Sequence, residues 1–132
     1  MMDQLFYVGQ KAFIEKNGEI LILKHEKGLD FPGGKIKENE LDFIGELKRE
    51  VLEETRLEIE VDEPFVVWHT KFPKNGHFIY LVGFRCRYIS GEIKLSDEHL
   101  GYEWVNIQNY ESLDDGETYF GALKKYFTQT DF

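Results

Sequence analysis

A single cysteine, Cys86, has no partner within the chain, so an intramolecular disulfide is excluded and stability must come from a hydrophobic core. The N-terminus has neither the basic start nor the continuous apolar segment of a secretory signal, and the cytoplasm is the expected compartment. No apolar run approaches the ~18 residues of a membrane span, and no repeat or low-complexity segment is present. Positive charge is also scarce: 16 Lys and Arg stand against 25 Asp and Glu, for a net charge of −9. That balance argues against broad binding to nucleic acid or to an anionic membrane, because there is no cationic surplus to neutralise phosphates. A phosphate-bearing ligand would have to be received locally, by a metal, backbone N–H groups and a few placed lysines.

What is present suffices for one compact domain. With 132 residues, 42% hydrophobic and 15% aromatic, residues 1–132 can bury a real core but leave no room for a second domain. Leu5 to Ile14 and Glu19 to Lys24 read as the arms of a β-hairpin, since Asn17-Gly18 favours the positive φ of a tight turn. His25 to Pro32 reads as a loop that delivers the chain to Gly33-Gly34. Asp42 to Thr55 reads as a helix with Asp42 as N-cap and Ile44, Leu47 and Val51 as its buried stripe. Gly45 within it suggests a backbone passing close by.

Strand patterns resume at Leu57 to Val61 and, after Pro64, at Phe65 to His69, with a turn over Phe72 to His77. In Phe78 to Tyr88 the alternation puts Tyr80, Val82, Phe84, Cys86 and Tyr88 on one face, which makes Cys86 a core residue rather than a nucleophile. Gly91 to Leu95 is a short strand candidate, and Asn106 to Leu113 a loop or turn. Glu117 to Phe127 is a C-terminal amphipathic helix whose aromatic stripe packs into the core.

The chemistry concentrates in the first helix. Glu50, Glu53 and Glu54 fall at i, i+3 and i+4, so all three point to one side, where like charges repel and gain the helix nothing. A divalent cation accounts for such a cluster, and oxygen-only ligands favour Mg2+ or Mn2+ over zinc. Gly33-Gly34 could be a plain turn or could present backbone N–H groups to an oxygen ligand, with Lys35 adding charge. Arg49, beside the cluster, can hold one glutamate in a fixed orientation with its planar guanidinium. Glu46, one turn earlier, is read as a solvated surface residue.

These residues resemble the Nudix box, in which a glycine, five residues, a glutamate and seven residues precede Arg-Glu-aliphatic-x-Glu-Glu-x-Gly-aliphatic. Gly34, Glu40, Arg49, Glu50, Val51, Glu53, Glu54 and Leu57 match in order, so the box spans about 34–57. Two positions depart from it. Eight residues, Leu41 to Lys48, separate Glu40 from Arg49, and Arg56 stands where the pattern has glycine. The extra residue is expected in the loop before the helix. Arg56 is expected to change how the helix ends, because a side chain in the left-handed conformation costs about 1 kcal/mol.

The resemblance implies an α/β (α+β) fold, a Nudix-type α/β/α sandwich with a mixed sheet. It implies a metal-dependent pyrophosphohydrolase that cleaves a nucleoside diphosphate linked to another group by attack of water on phosphorus. The MutT-like members of the family are included in the likeness. A further acidic residue commonly joins the metal from a loop before a tryptophan strand, and Glu98 is the best positional match, with Asp97 and Glu103 behind it. Ser96-Asp97-Glu98-His99 also resembles a stretch of the dinucleoside tetraphosphate hydrolases. The expected metal set is Glu50, Glu53, Glu54, Glu98 and the Gly34 carbonyl, holding Mg2+ or Mn2+. Glu53, Glu54, Glu98 and Arg49 carry catalysis, with Glu53 the first choice of general base and Glu54 and Glu98 its competitors. Glu40 supports the loop.

Lys35 would meet phosphate, and Phe31, Tyr7, Phe72 and Tyr80 are candidates to stack on the base. The substrate is a small nucleotide: a nucleoside triphosphate, a dinucleoside polyphosphate or a nucleotide sugar. The enzyme would act as a monomer or homodimer. The alternative is a non-catalytic nucleotide-sensing or protein-binding domain on the same fold, or an acidic helix with a purely structural role.

Overall fold

The computed structural model describes residues 1–26, 28–72, 74–113 and 119–129. Its elements are β1 (Tyr7–Lys16), β2 (Glu19–His25), β3 (Gly28–Asp30), β4 (Gly33–Lys35), α1 (Phe43–Thr55), β5 (Glu58–Lys71), β6 (Phe78–Ser90), β7 (Gly101–Val105), a 3-10 turn (Tyr110–Ser112) and α2 (Phe120–Thr128). The strands form one mixed sheet in the order β3-β2-β1-β6-β5, with β4 added to β1 and β7 added to β2. Only β1 and β6 run parallel among these pairs, from Tyr7 opposite Ile79 to Glu15 opposite Arg87. The expected hairpin is present, with Asn17 and Gly18 both at positive φ and Lys16 paired with Glu19.

Alternation along the central strands sends side chains to two cores, one on each face of the sheet. Phe13, Ile20 and Ile22 join Val66, Val105, Leu123 and Phe127 beneath α2. Ala12, Ile14, Leu21 and Leu23 join Leu47, Val51, Leu57 and Cys86 beneath α1. The architecture is therefore the expected sandwich of two helices about a mixed sheet. Among the described residues no helix is long and apolar enough to cross a membrane.

Several local expectations are corrected. The segment before the box is not all loop: Gly28–Asp30 pairs with β2, and Gly33–Lys35 pairs with β1. Gly33 has φ 146, and a Cβ there would collide with the Gln10 carbonyl, so glycine at this position is what lets β4 lie against β1. Gly45 makes room for the Asp42 carboxylate that caps its own helix, not for another backbone. The Asp42 side chain accepts from the Gly45 N–H at 3.1 Å. Ile44 is exposed, and the buried apolar stripe of α1 is Leu47 and Val51.

Arg56 takes the left-handed cap conformation after all (φ 69, ψ 14), its N–H donating to the Leu52 carbonyl. Gly91 to Leu95 forms no strand. Lys94 N and Ser96 N instead donate to the Thr55 and Glu54 carbonyls at 3.0 and 3.1 Å, using acceptors that the end of a helix leaves open. Pro64 marks an irregularity within the single long strand β5. The C-terminal helix is described from Phe120, and Glu117 lies outside the described residues.

Candidate active site

Three chain segments converge on one acidic cavity of about 310 Å³, lined by Gly33, Gly34, Lys35, Lys37, Glu50, Glu53, Glu54, Ser96 and Glu98. The helix supplies the three glutamates from one side, as their spacing requires. Strand β4 supplies the glycines. The Ser96 to Glu98 loop is brought in by the hydrogen bond from Ser96 N to the Glu54 carbonyl. All four carboxylates expected at a metal therefore line a single cavity, together with Gly34 and Lys35.

Each carboxylate has a distinct setting. Glu54 is 8% exposed and accepts a hydrogen bond from the Gly33 N–H at 2.7 Å. Burial pushes its pKa up to about 7, against the opposing influence of that N–H and of Lys11. Glu50 packs on the Cα of Gly34, where an added Cβ would meet its carboxylate at 2.8 to 3.0 Å, and its pKa is also raised by burial. Glu53 is exposed but held: Arg49 Nη1 donates to its Oε1 at 2.7 Å. Arg49 Nη2 also donates to Glu46 Oε2 at 2.6 Å and lies 3.5 Å from Glu40 Oε2 and 3.4 Å from Glu50 Oε1. One guanidinium thus fixes several acids at once, and the longer spacing between Glu40 and Arg49 does not prevent their contact. Glu40 supports the loop, accepting from the Lys37 N–H at 3.2 Å. Glu46 lies outside the acidic cavity, as does Glu103, whose partner is Lys24.

A metal suits this donor set. Donor atoms of Glu54, Glu98 and His99 lie within 4.8 Å of one another. Ser96 Oγ and His99 Nδ1 are buried with no hydrogen-bond partner among the described residues, and orphaned polar atoms of this kind are rare unless another group completes them. Hard carboxylate oxygens match a hard or borderline divalent ion.

Behind Glu54 lies a buried ionic chain that was not singled out from sequence. Lys11 Nζ donates to Asp30 Oδ1 at 2.9 Å and to the Phe31 carbonyl at 3.2 Å. Asp30 Oδ2 lies 3.0 Å from His99 Nε2, and its Oδ1 accepts from the Phe31 N–H at 2.8 Å. Burial disfavours both charges, yet their mutual attraction prevails: Lys11 is held above and Asp30 below its ordinary range. The hydrogen bond to Asp30 raises His99. The available signal was a lysine on the same face of β1 as Phe13, in a strand otherwise directed at the core.

A second cavity, about 190 Å³, adjoins the first at Gly34 and Lys35 and is walled by Gly9, Lys11, Thr70, Phe72, Ile79, Leu81 and Tyr119. Of the four aromatic candidates only Phe72 lines it. Lys35 Nζ sits 5.1 Å from the Tyr7 ring and 5.6 Å from the Phe72 ring. Tyr7 is exposed and lies against His77. Phe31 is fully buried and stacked on Phe13 at 4.1 Å, which makes it core and removes it as a base platform. Tyr80 projects from the opposite face of β6 to Ile79 and Leu81, lies against Phe6, and does not line this cavity. Gly9, Lys11, Thr70, Ile79, Leu81 and Tyr119 are wall residues that the sequence did not disclose.

A mixed sheet between two helices, with carboxylates of one helix facing a double-glycine strand across a cleft, is an arrangement able to hold a divalent ion against phosphate oxygens. The chain belongs to the NUDIX family, whose domain model matches residues 11–126. No curated protein gives a significant match by sequence. Among solved structures, the MutT protein of Methanosarcina mazei Go1 is 23% identical with a TM-score of 0.81, over 98% of this chain and 97% of that one. A MutT NUDIX hydrolase of Burkholderia pseudomallei is 22% identical with a TM-score of 0.75, over 95% and 99%. An ADP-ribose pyrophosphatase of Streptococcus suis is 21% identical with a TM-score of 0.63, over 78% and 75%. At these identities the likeness is one of fold.

Proposed function

We propose that this chain hydrolyses the diphosphate link of a small nucleotide, seating the phosphates in the acidic cavity and the nucleoside in the apolar one. The observation that carries this reading is the junction of the two cavities at Gly34 and Lys35. A ligand with an anionic and a flat, weakly polar end spans that junction. Nucleoside triphosphates, dinucleoside polyphosphates and nucleotide sugars all have this form, and the ADP-ribose pyrophosphatase of S. suis belongs to the same group of folds.

Glu50, Glu53, Glu54 and Glu98, with the Gly34 carbonyl, would hold Mg2+ or Mn2+. Such an ion neutralises charge on the diphosphate oxygens and acidifies a water. Lys35 and Lys37 bind the phosphate oxygens. The Gly33 N–H is already committed to Glu54 and takes no part in phosphate binding. Glu53 accepts the proton of the attacking water at Oε2, while Arg49 holds Oε1. Glu54 and Glu98, on the same cavity, compete for that role. On this reading the enzyme acts in the cytoplasm, in keeping with its one buried, unbridged thiol, and does so as a monomer or homodimer.

The test is turnover of a nucleotide panel with Mg2+ and Mn2+, with products identified. Glu53→Gln and Glu54→Gln should each lower kcat at least about hundredfold. Undiminished turnover in both variants, or turnover in excess chelator, would overturn the reading. Nucleotide binding without any product across the panel would favour a sensing domain instead.

A further inference from the structure

Lys11 is the charged wall residue of the apolar cavity that does not also line the acidic one, although its charge is felt by Glu54. A buried lysine–aspartate pair is a poor device for stability alone, because desolvation of two charges offsets their attraction, and a hydrophobic pair often does as well. Here the pair is placed where its cation borders a cavity: Lys11 lines the space with Tyr119, Thr70 and Phe72, and its side chain is 11% exposed. Two of its three N–H donors go to Asp30 and the Phe31 carbonyl. Asp30 is itself fixed by the Phe31 N–H and His99, so the ammonium is held at a set point on the wall.

We propose that Lys11 determines base specificity, selecting nucleobases that carry an acceptor oxygen where adenine and cytosine carry an exocyclic amino group. The proposal rests on the assignment of the apolar cavity to the nucleoside. An ammonium donates hydrogen bonds and cannot accept them. A carbonyl oxygen of uracil, thymine, guanine or hypoxanthine completes its donor set. An amino group at the same place would set donor against donor on a desolvated wall, leaving both unsatisfied, and sites built this way reject the mismatched ligand strongly. The phosphates do not compete for this cation, because Lys35 and Lys37 line the acidic cavity and Lys11 does not. Tyr119, with Lys11 Nζ 5.7 Å from its ring centre, is held edge-on by Phe31 and Trp68 and gives the base an aromatic wall.

The test compares inosine with adenosine triphosphate, and uridine with cytidine triphosphate, as substrates of the wild-type chain with Mg2+ and of Lys11→Met. The wild type should show kcat/KM at least about tenfold higher for the keto partner of each pair, mainly through KM. Both ratios should fall toward one in Lys11→Met. Equal kcat/KM within both pairs in the wild type overturns the proposal and leaves the hydrolase reading intact. A uniform loss for all four nucleotides in Lys11→Met, with the ratios kept, also overturns it, since Lys11 would then serve phosphate or fold. If Lys11→Met does not fold, the wild-type ratios decide alone. Absence of both turnover and calorimetric binding for all four nucleotides overturns the assignment of the cavity to the nucleoside, and the proposal with it.

Discussion

Glu54 has the surroundings least like water of any carboxylate in the acidic cavity, and this gives the protein a pH signature. Its pKa rises from an ordinary 4.5 to about 7 because burial penalises the ionised form. Between those values the folded chain binds the proton more tightly than the unfolded chain. The stabilisation from the protonated acid is therefore complete below about pH 4.5 and is lost as pH climbs through 7. In chelator, Glu54→Gln and wild type should melt alike at pH 5, and the variant should be more stable at pH 8 by on the order of 2 kcal/mol, discounting for partial solvent access. A difference in Tm that stays flat from pH 5 to 8 would show that burial does not shift this group. Arg49 acts at the same scale. Its guanidinium bonds Glu53 and Glu46 through different nitrogens, a grip that one ammonium cannot reproduce. Arg49→Lys should lower kcat roughly ten- to hundredfold with Tm within about 2 °C of wild type, since the pairs are exposed. Kinetics alongside thermal melts will separate the two effects.

The first helix shows how far a local pattern carries and where it stops. Asp42 as cap, the buried Leu47 and Val51, and the shared direction of Glu50, Glu53 and Glu54 follow from spacing along one helix, and all were legible in the sequence. The helix end was not. Arg56 occupies the left-handed cap because the chain must turn at once into β5, while Gly91 packs so closely behind that a Cβ there would meet the Arg56 carbonyl at 2.5 Å. The tertiary turn overrides the side chain's preference. Arg56→Gly should relieve that strain and raise stability by up to about 1 kcal/mol, less the extra freedom glycine gives the unfolded chain. A Tm unchanged or lowered would mean that the Arg56 side chain contributes more than its backbone costs. The short strand β4 was not legible as a strand for a related reason: two adjacent glycines look like a turn or an oxygen-binding loop, and only pairing with β1 makes them a strand.

At the scale of the molecule, two cores lie on either face of one sheet, and the single thiol is sealed in the core under α1. Cys86 is 2% exposed, and burial pushes its pKa up to about 12. It should resist thiol reagents in the native protein and react at the rate of global unfolding, which labelling across a denaturant series will check. Rapid native labelling would mean that β6 opens locally. The sequence by itself carried the reaction class through its resemblance to the Nudix box, which is legible because Glu50, Glu53 and Glu54 lie in one contiguous segment and helical spacing is a local property; Glu98 lies outside it. It also determined the hairpin, through Asn17-Gly18, and the burial of Cys86, through strand alternation. Only the tertiary structure decided the rest: that Glu98 reaches Glu54, that Phe31 is core and Tyr80 turned away, and that Lys11, Thr70, Phe72 and Tyr119 share a wall. Those residues come from segments far apart in the chain, and which of them meet is set by strand pairing and by which face of the sheet each alternation selects.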